Sequence, residues 1–335
     1  MKQVIRSNWF IYLLSLIVVI VIVQQFIRSG RHEQESLAEA AGDSTWIAPS
    51  LFADQVTIGK QRELVIYGEE LIANTAKYLG PHGSVLQITN GLNCQNCHLD
   101  AGTRPWGNNY GAVYSTYPKF RARSGTVENI YKRVNDCFER SLNGQPLDTA
   151  SREMQAIYAY LKWLGQDVPK GKKPYGAGLP QLPYLDRSAD PEKGKMVYAS
   201  VCQSCHGPNG EGVLNPDGKT YGYPPLWGEH SYNDGAGLHR ISRFASFVKY
   251  NMPFNQVSFI HPKLTDEEAW DVAAYVNSQP RPHKDQRGDW KDIAQKSVDE
   301  PFGPYADGFS EKQHKFGPYK PIVEARKVKG SIAKQ

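Results

Sequence analysis

The chain contains few sulfur atoms and only a small excess of positive charge. Its 335 residues include 5 cysteines and 4 methionines, and the formal net charge is +5. No run of basic residues resembles a nucleic-acid-binding tract, so we expect no nucleic-acid partner. Because so few residues carry sulfur, only a few positions can supply a thiol or a thioether, and the interpretation starts from these positions.

Four of the five cysteines lie in two matching pentads. Residues 94–98 read Cys-Gln-Asn-Cys-His, and residues 202–206 read Cys-Gln-Ser-Cys-His. Cys-x-x-Cys-His is the attachment motif of c-type haem, in which both thiols bond to the porphyrin and the histidine binds its iron. A zinc site, a redox pair or a disulfide would not explain a histidine at the same place twice. The sequence therefore predicts two covalently bound haem c groups, attached through Cys94, Cys97 and His98, and through Cys202, Cys205 and His206.

The N-terminal region contains an apolar stretch, in which 21 residues without a charge separate Arg6 from Arg28. This length matches the roughly 20 residues that cross a bilayer as a helix. Lys2 and Arg6 precede the stretch, which favours export of the remainder. We expect residues 1–28 to be an uncleaved membrane anchor, with a cleaved signal peptide as the alternative. The body would then lie in the periplasm, anchored to the inner membrane by residues 8–27.

The remaining pattern indicates a mainly α fold with two tandem class I cytochrome c domains joined by a Pro/Gly-rich linker, after the N-terminal membrane anchor helix. Apolar residues recur at helical spacing in residues 57–79, about 126–140 and about 151–164, with a long loop at residues 99–125. Pro191 and the pair Thr265 and Glu268 mark the starts of two later helices. The predicted segments are a tether at 29–56, cytochrome c domains at 57–164 and 188–280, a linker at 165–187 and a tail at 281–335.

The remaining sulfur atoms are candidates for the second axial ligand of each iron, which in a cytochrome c is usually Met or His. Met252 lies in a loop ahead of the last helix of the second domain, where a distal ligand belongs. Met196 precedes the second pentad on a helix and cannot reach the opposite face of the ring. We predict Met252 as the ligand of the second iron, with His239 or His230 as the alternative.

An internal repeat assigns the same position to the fifth cysteine, Cys137. Met252 precedes Tyr275 by 23 residues, and Cys137 precedes Tyr160 by the same 23. This register puts Cys137 where the second domain has its ligand methionine. The alternative is that Cys137 is a small buried apolar residue, as free cysteines often are. The predicted metal ligands are His98 and Cys137 for the first iron, and His206 and Met252 for the second.

A thiolate at Cys137 would be chemically reactive as well as a ligand of the iron. A metal-bound thiol is deprotonated, and a thiolate that leaves the iron is a nucleophile for another sulfur atom. On a helix, Arg133 lies one turn before Cys137 and Ser141 one turn after it, while Arg123 ends the preceding loop. A guanidinium presents a planar donor fork that fits an oxyanion such as a sulfonate, although many arginines are merely solvated. The candidate catalytic residues are Cys137, Arg123, Arg133 and Ser141.

At these motifs the chain resembles the two-haem thiosulfate dehydrogenase family, also described as tetrathionate synthases or reductases. The resemblance extends from about residue 57 to the Phe-Gly-Pro-Tyr sequences of the tail. The motifs are Cys-Gln-Asn-Cys-His-Leu-Asp-Ala-Gly at 94–102, Asn-Asp-Cys-Phe-Glu-Arg-Ser at 135–141, Tyr-Pro-Pro-Leu-Trp-Gly at 223–228 and Asn-Met-Pro at 251–253. The second of these, centred on Cys137, is the most specific.

The resemblance implies an enzyme that reversibly converts two thiosulfates into tetrathionate and two electrons. It implies that Cys137, at the first haem, forms a transient sulfur adduct while Arg123, Arg133 and Ser141 hold the sulfonate ends. The second haem would exchange electrons with an external carrier, such as a small cytochrome c or a membrane quinol-linked cytochrome. The alternatives are a membrane-tethered two-haem electron-transfer cytochrome without its own substrate, and a two-haem peroxidase.

Overall fold

Two hydrophobic cores, one beside each pentad, organise the part of the chain that this computed structural model describes, namely Tyr12, residues 46–50 and residues 60–332. The fold unit that contains both cores begins at Trp46. Helices dominate it, and the strands form two short antiparallel hairpins among the described residues. The prediction of a mainly α fold is confirmed for this part of the chain.

The elements around the first core are α1 (Lys60–Ala73), α2 (Thr75–Leu79), α3 (Leu99–Gly102), α4 (Val113–Thr116), β1 (Lys119–Arg121), β2 (Thr126–Glu128), α5 (Ile130–Arg140) and α6 (Arg152–Leu164). Those of the second half are α7 (Pro191–Val197), α8 (Gln203–His206), β3 (Val213–Leu214), β4 (Tyr221–Tyr223), α9 (Ile241–Asn251), α10 (Asp266–Ser278), α11 (Glu311–Phe316) and α12 (Lys320–Ile332). A π-helical turn, Tyr198–Cys202, joins α7 to α8.

The fold prediction needs one correction, which concerns the N-terminal membrane anchor helix. No helix within the described residues is both long and apolar enough to cross a membrane. The predicted anchor at residues 1–28, apart from Tyr12, and the tether at 29–56, apart from residues 46–50, lie outside the described residues. The prediction rested on the length of the apolar stretch and on the charges that precede it, and we do not retain the anchor in the description of the fold.

Two glycines allow matching pairs of helices to cross at close range. α1 packs on α6 at Gly68, where an added Cβ would lie 2.1 Å from the carbonyl oxygen of Ala156. α7 packs on α10 at Gly194, where it would lie 1.9 Å from the carbonyl oxygen of Asp271. Ala156 and Asp271 correspond in the repeat register inferred from the sequence. Both halves of the chain therefore repeat the same close packing of two helices.

The segment before α5 differs from the prediction. Residues 99–125 contain α3, α4 and strand β1, and residues 126–128 form strand β2 instead of the start of a helix. The β-branched Thr126 and Val127 favour the strand, and Gly125, at φ +68°, lies in the turn between the two strands. Helix α5 begins only after Asn129, whose side chain accepts a hydrogen bond from the Lys132 amide.

Several local signals in the second half are confirmed. Asp190 caps α7 with Pro191 in its first turn, and Thr265 and Glu268 form a reciprocal capping box at the start of α10. Helix α9, which ends immediately before Met252, was not predicted. The limits of the domains and of the linker remain predictions.

The tail returns along the body after α10. Tyr319 and Ile322 are buried in the second core. Trp290 reaches the other half of the molecule, where its backbone amide donates to the carbonyl of Arg123 at 2.6 Å. The tail therefore contributes residues to the surroundings of the first pentad, as described below.

Candidate functional site

A cavity of about 430 Å³ lies beside the first pentad and gathers the predicted catalytic residues. Its lining includes Cys97, His98, Arg123, Arg133, Cys137 and Ser141. Residues from the hairpin, from α5, from the region around α9 and from the tail all contribute to the wall. The cavity is thus built from segments that are far apart in the sequence.

Helix α5 supplies the face of the cavity that carries the thiol. Arg133 and Cys137 are one turn apart on α5, and Ser141 is its C-cap residue, with its amide donating to the Cys137 carbonyl. Phe138 is buried in the first core and fixes the rotation of the helix. Asn135 exchanges two hydrogen bonds with the backbone of Leu147, at 2.9 and 3.0 Å, which ties the helix to the following loop.

His98 is held as an iron ligand must be. Its Nδ1 lies 2.6 Å from the carbonyl oxygen of Asn108. A carbonyl only accepts, so Nδ1 carries the proton and Nε2 keeps its lone pair for a metal. Burial lowers the pKa of His98 to about 4, so the imidazole is neutral at physiological pH. The ring also stacks on Tyr110 at 4.4 Å between centroids, which fixes its plane.

A second cavity, of about 340 Å³, lies beside the other pentad. Its lining includes Cys202, Cys205, His206 and Met252, with mainly apolar neighbours. His206 Nδ1 lies 2.8 Å from the carbonyl of Pro224, which leaves Nε2 available, and burial lowers the pKa of His206. The alternative ligands His239 and His230 are not part of this lining. The structure therefore brings Met252, rather than either histidine, to the second pentad.

The residues of both cavities fit a covalently attached haem. In each, a neutral histidine presents Nε2, two cysteines lie at the wall or packed beside it, and the predicted second ligand shares the lining. Burial raises the pKa of Cys94, Cys97 and Cys202 to about 12. A free thiol with such a pKa is protonated at physiological pH.

Six arginines line the first cavity, and they divide into two groups. Three are paired with carboxylates of the tail. Arg123 lies 3.9 Å from Asp289 and 3.8 Å from Glu300, Arg140 donates to Asp289 at 2.8 Å, and Arg240 donates to Asp299 at 2.8 Å. The others, Arg121, Arg133 and Arg243, have no carboxylate partner or side-chain hydrogen bond among residues 46–50 and 60–332.

Arg133 is the unpaired arginine nearest in sequence to the thiol. Its proximity to Cys137 is the largest influence that raises the pKa of Arg133, and burial opposes it. The guanidinium is therefore a permanent cation beside the sulfur. Arg123, by contrast, also donates to the carbonyl of Gly235 at 2.6 Å, so part of its donor fork is already used.

Sequence reasoning missed four of the six cavity arginines as site residues. Arg121 and Arg140 belong to residues 119–140, a segment rich in arginine and lysine that includes Cys137. Its composition indicates positive charge near the thiol but not which arginines face the cavity. Arg240 and Arg243 gave none, because they lie about a hundred residues further along the chain and reach the cavity only through the tertiary fold.

Comparisons with known proteins agree with this geometry. The family model described as SoxA/TsdA, cytochrome c domain, matches residues 86–169, and the cytochrome c model matches residues 191–280. A solved thiosulfate dehydrogenase (TsdBA) from Marichromatium purpuratum, in its as-isolated form, is 34% identical, with a TM-score of 0.64 over 71% of this chain. The match covers 50% of that solved chain.

Several curated thiosulfate dehydrogenases also have sequences similar to that of this chain. That of Psychrobacter arcticus is 42% identical over 61% of this chain, that of Stutzerimonas stutzeri 38% over 66%, and that of Allochromatium vinosum 37% over 67%. The matches span 61%, 68% and 80% of those proteins respectively, so for the first relative the chain covers less than two thirds of its length. With two cytochrome c domains and two fitting sites, the chain binds two covalent haem c groups and belongs to the two-haem thiosulfate dehydrogenase family.

Proposed function

We propose that this protein interconverts thiosulfate and tetrathionate. Two thiosulfate dianions give one tetrathionate dianion and two electrons, so sulfur atoms and charge balance without another reagent. The observation that carries the proposal is the single cavity shared by Cys137, Arg133, Ser141 and His98. A nucleophilic sulfur beside an unpaired guanidinium is suited to an anionic sulfur substrate. The related thiosulfate dehydrogenases support the same substrate class.

The two pentads would hold the haem groups through thioethers. His98 and Cys137 would be the axial ligands at the first site, and His206 and Met252 at the second. When bound, each iron takes up or releases one electron, so two groups match the two electrons of the reaction. Cys97 and Leu238 line both cavities, which supports exchange of electrons between the sites.

Cys137 would be the residue that forms and breaks covalent bonds with substrate. Its thiolate sulfur bonds to the terminal sulfur of one thiosulfate, and two electrons leave as the S–S bond forms. The terminal sulfur of a second thiosulfate then attacks the sulfur that was added. Tetrathionate departs, and the Cys137 thiolate is restored. In the direction of reduction, the same steps run backwards.

Arg133 and Ser141 would hold the sulfonate of the thiosulfate that reacts with Cys137. Both flank the thiol on one face of α5, and an unpaired guanidinium keeps its full donor fork for sulfonate oxygens. Arg123 would add positive charge and shape to the wall, because Asp289, Glu300 and Gly235 already hold its guanidinium.

The second haem site would exchange electrons with an external carrier, such as a small cytochrome c or a quinol-linked cytochrome. A periplasmic location agrees with membership of this family. A two-haem electron shuttle without its own substrate is not favoured, because it would need neither Cys137 in this cavity nor unpaired arginines around it.

Replacement of Cys137 tests the proposal. Cys137→Gly should abolish tetrathionate formation and reduction while both haems remain attached, and Cys137→Ser should not restore turnover, because a hydroxyl cannot form the disulfide-type bond. Met196→Ala, which removes an exposed sulfur outside both cavities, is the control and should behave as wild type. Turnover by the Cys137→Gly protein at the wild-type rate would refute the proposal.

A further inference from the structure

Arg121 and Arg243 form a second cationic group in the first cavity, separate from Arg133 on α5. Arg121 is the last residue of strand β1, and Arg243 lies in the first turn of helix α9, in the half of the chain that carries the second pentad. Both line the cavity, and neither has a carboxylate partner in the part of the chain that the structure describes. Their convergence is a product of the tertiary fold.

A comparison with Arg240 shows that the neighbouring arginine does have a carboxylate partner, whereas Arg243 does not. Arg240 lies three residues before Arg243, and Asp299 of the tail accepts hydrogen bonds from it and from the hydroxyl of Ser242. Asp299 also accepts from the Ser242 amide at 3.3 Å, at the start of α9. The fold thus pairs one arginine at this helix terminus with a carboxylate and leaves Arg243 without an ion-pair partner among the described residues.

The surroundings of Arg243 disfavour its positive charge when no anion is bound. Burial lowers the pKa of Arg243, and the neighbouring charges of Arg240 and Arg121 lower it further, with Asp299 opposing. Burial lowers the pKa of Lys119, and the charges around it, Arg121 and Arg243 among them, lower it further. A cation in the first turn also opposes the dipole of its own helix. Repulsion of this kind is relieved when an anion binds between the cations.

A merely solvated arginine looks different in this molecule. Arg287 has a side chain that is 91% exposed, and it pairs with Asp285 at 2.6 Å on the surface of the tail. Arg243 is also exposed to solvent, but it lines the cavity that contains Cys137. Arg243 and Arg287 carry the same charge, but Arg287 is paired on the surface and Arg243 lines the cavity without a carboxylate partner among the described residues.

We propose that Arg243 and Arg121 form a second anion subsite, which holds the sulfonate of tetrathionate that lies farther from Cys137. This inference rests on the proposed function, since tetrathionate carries a sulfonate at each end. Arg133 and Ser141 hold one end beside the thiol, and the new subsite holds the other. In the direction of oxidation, the same subsite positions the second thiosulfate for attack. The substrate would then contact both halves of the protein.

Binding can be measured apart from turnover. The Cys137 thiolate can attack tetrathionate and release thiosulfate without any electrons, so calorimetric titration with tetrathionate is made on oxidised holoproteins that all carry Cys137→Ser, which cannot form this adduct. In this assay, wild type denotes the protein with that single change, and the titration reports binding alone. Arg243→Gln should weaken binding by about tenfold or more, as expected for loss of a charge-assisted hydrogen bond. Arg243→Lys should recover part of the loss, and Arg121→Gln should act in the same direction. Arg287→Gln is matched in charge change and should leave the dissociation constant within about twofold of wild type.

Steady-state assays in the reducing direction separate the inference from the proposed function. For Arg243→Gln we expect KM for tetrathionate to rise with the dissociation constant while kcat stays close to wild type, because the lost contact is made equally in the ground and transition states. If wild type turns over tetrathionate and Arg243→Gln binds it as tightly as wild type, the second subsite is wrong. If wild type neither binds nor turns over tetrathionate, the proposed function fails, and the subsite fails with it.

Discussion

Replacement of Arg133 by glutamine removes the one unpaired guanidinium on the helix that carries the thiol. Arg133 lies one turn before Cys137, lines the cavity, and has a pKa raised chiefly by that cysteine. The variant loses a permanent positive charge and most of the donor fork while keeping an amide of similar length. The thiol and the two pentads are untouched by the change.

The expected loss follows from the interaction that disappears. A hydrogen bond to a charged group contributes about 1.5–3 kcal/mol, and each 1.4 kcal/mol corresponds to about a factor of ten. We therefore expect kcat/KM for thiosulfate to fall between about 10-fold and 150-fold in Arg133→Gln. Arg133→Lys should lie between this variant and wild type, because lysine keeps the charge but presents a point donor instead of a fork.

The assay is steady-state oxidation of thiosulfate with a small cytochrome c as electron acceptor, followed by absorbance. Haem content is compared first, so that loss of cofactor is not mistaken for loss of substrate binding. Arg287→Gln, on the exposed tail, controls for the change in net charge. An Arg133→Gln protein with kcat/KM within about twofold of wild type would show that this guanidinium holds no sulfonate.

Three further predictions concern residues that stabilise the fold around the cavities. Gly68→Ala should lower the free energy of unfolding by about 1–3 kcal/mol or more in a denaturant titration, because its Cβ meets the Ala156 carbonyl, whereas Gly308→Ala, which has open space, should be neutral or slightly stabilising. Asp299→Asn should cost about 3–5 kcal/mol, because it leaves Arg240 without its buried partner, and an unchanged melting temperature would contradict this. Burial raises the pKa of Asp299, but Arg240 and Ser242 lower it, and the net pKa is below the ordinary value. The ionised Asp299 therefore stabilises the fold above about pH 4, and this stabilisation is lost as the pH falls through the lowered pKa. The free energy of unfolding of Asp299→Asn should not show this loss.

Local signals in the sequence predicted much of the fold. The pentads, the proline at the start of α7 and the capping box of α10 depend on residues within a few positions of one another, and all lie where they were expected. The repeat that matched Cys137 with Met252 also predicted that both would lie beside a pentad, because equal spacing from the last helix puts them at equivalent places in two similar halves.

Long-range contacts could not be predicted in the same way. The pairing of Arg240 with Asp299 and of Arg140 with Asp289 depends on the path of the tail, for which no periodicity or motif gives a direction. Without those pairings, the sequence cannot say which arginines are neutralised and which are available. Arg123 was therefore ranked with Arg133 as a substrate ligand, and Arg243 was overlooked.

The ligation of the first iron by Cys137 is the claim on which the rest depends, and the electron paramagnetic resonance spectrum of the oxidised holoprotein tests it most directly. We predict two low-spin ferric species, one typical of His/thiolate ligation and one of His/Met ligation, with only the first lost in Cys137→Gly. A wild-type spectrum without the His/thiolate species, or one in which that species survives in Cys137→Gly, would contradict the account.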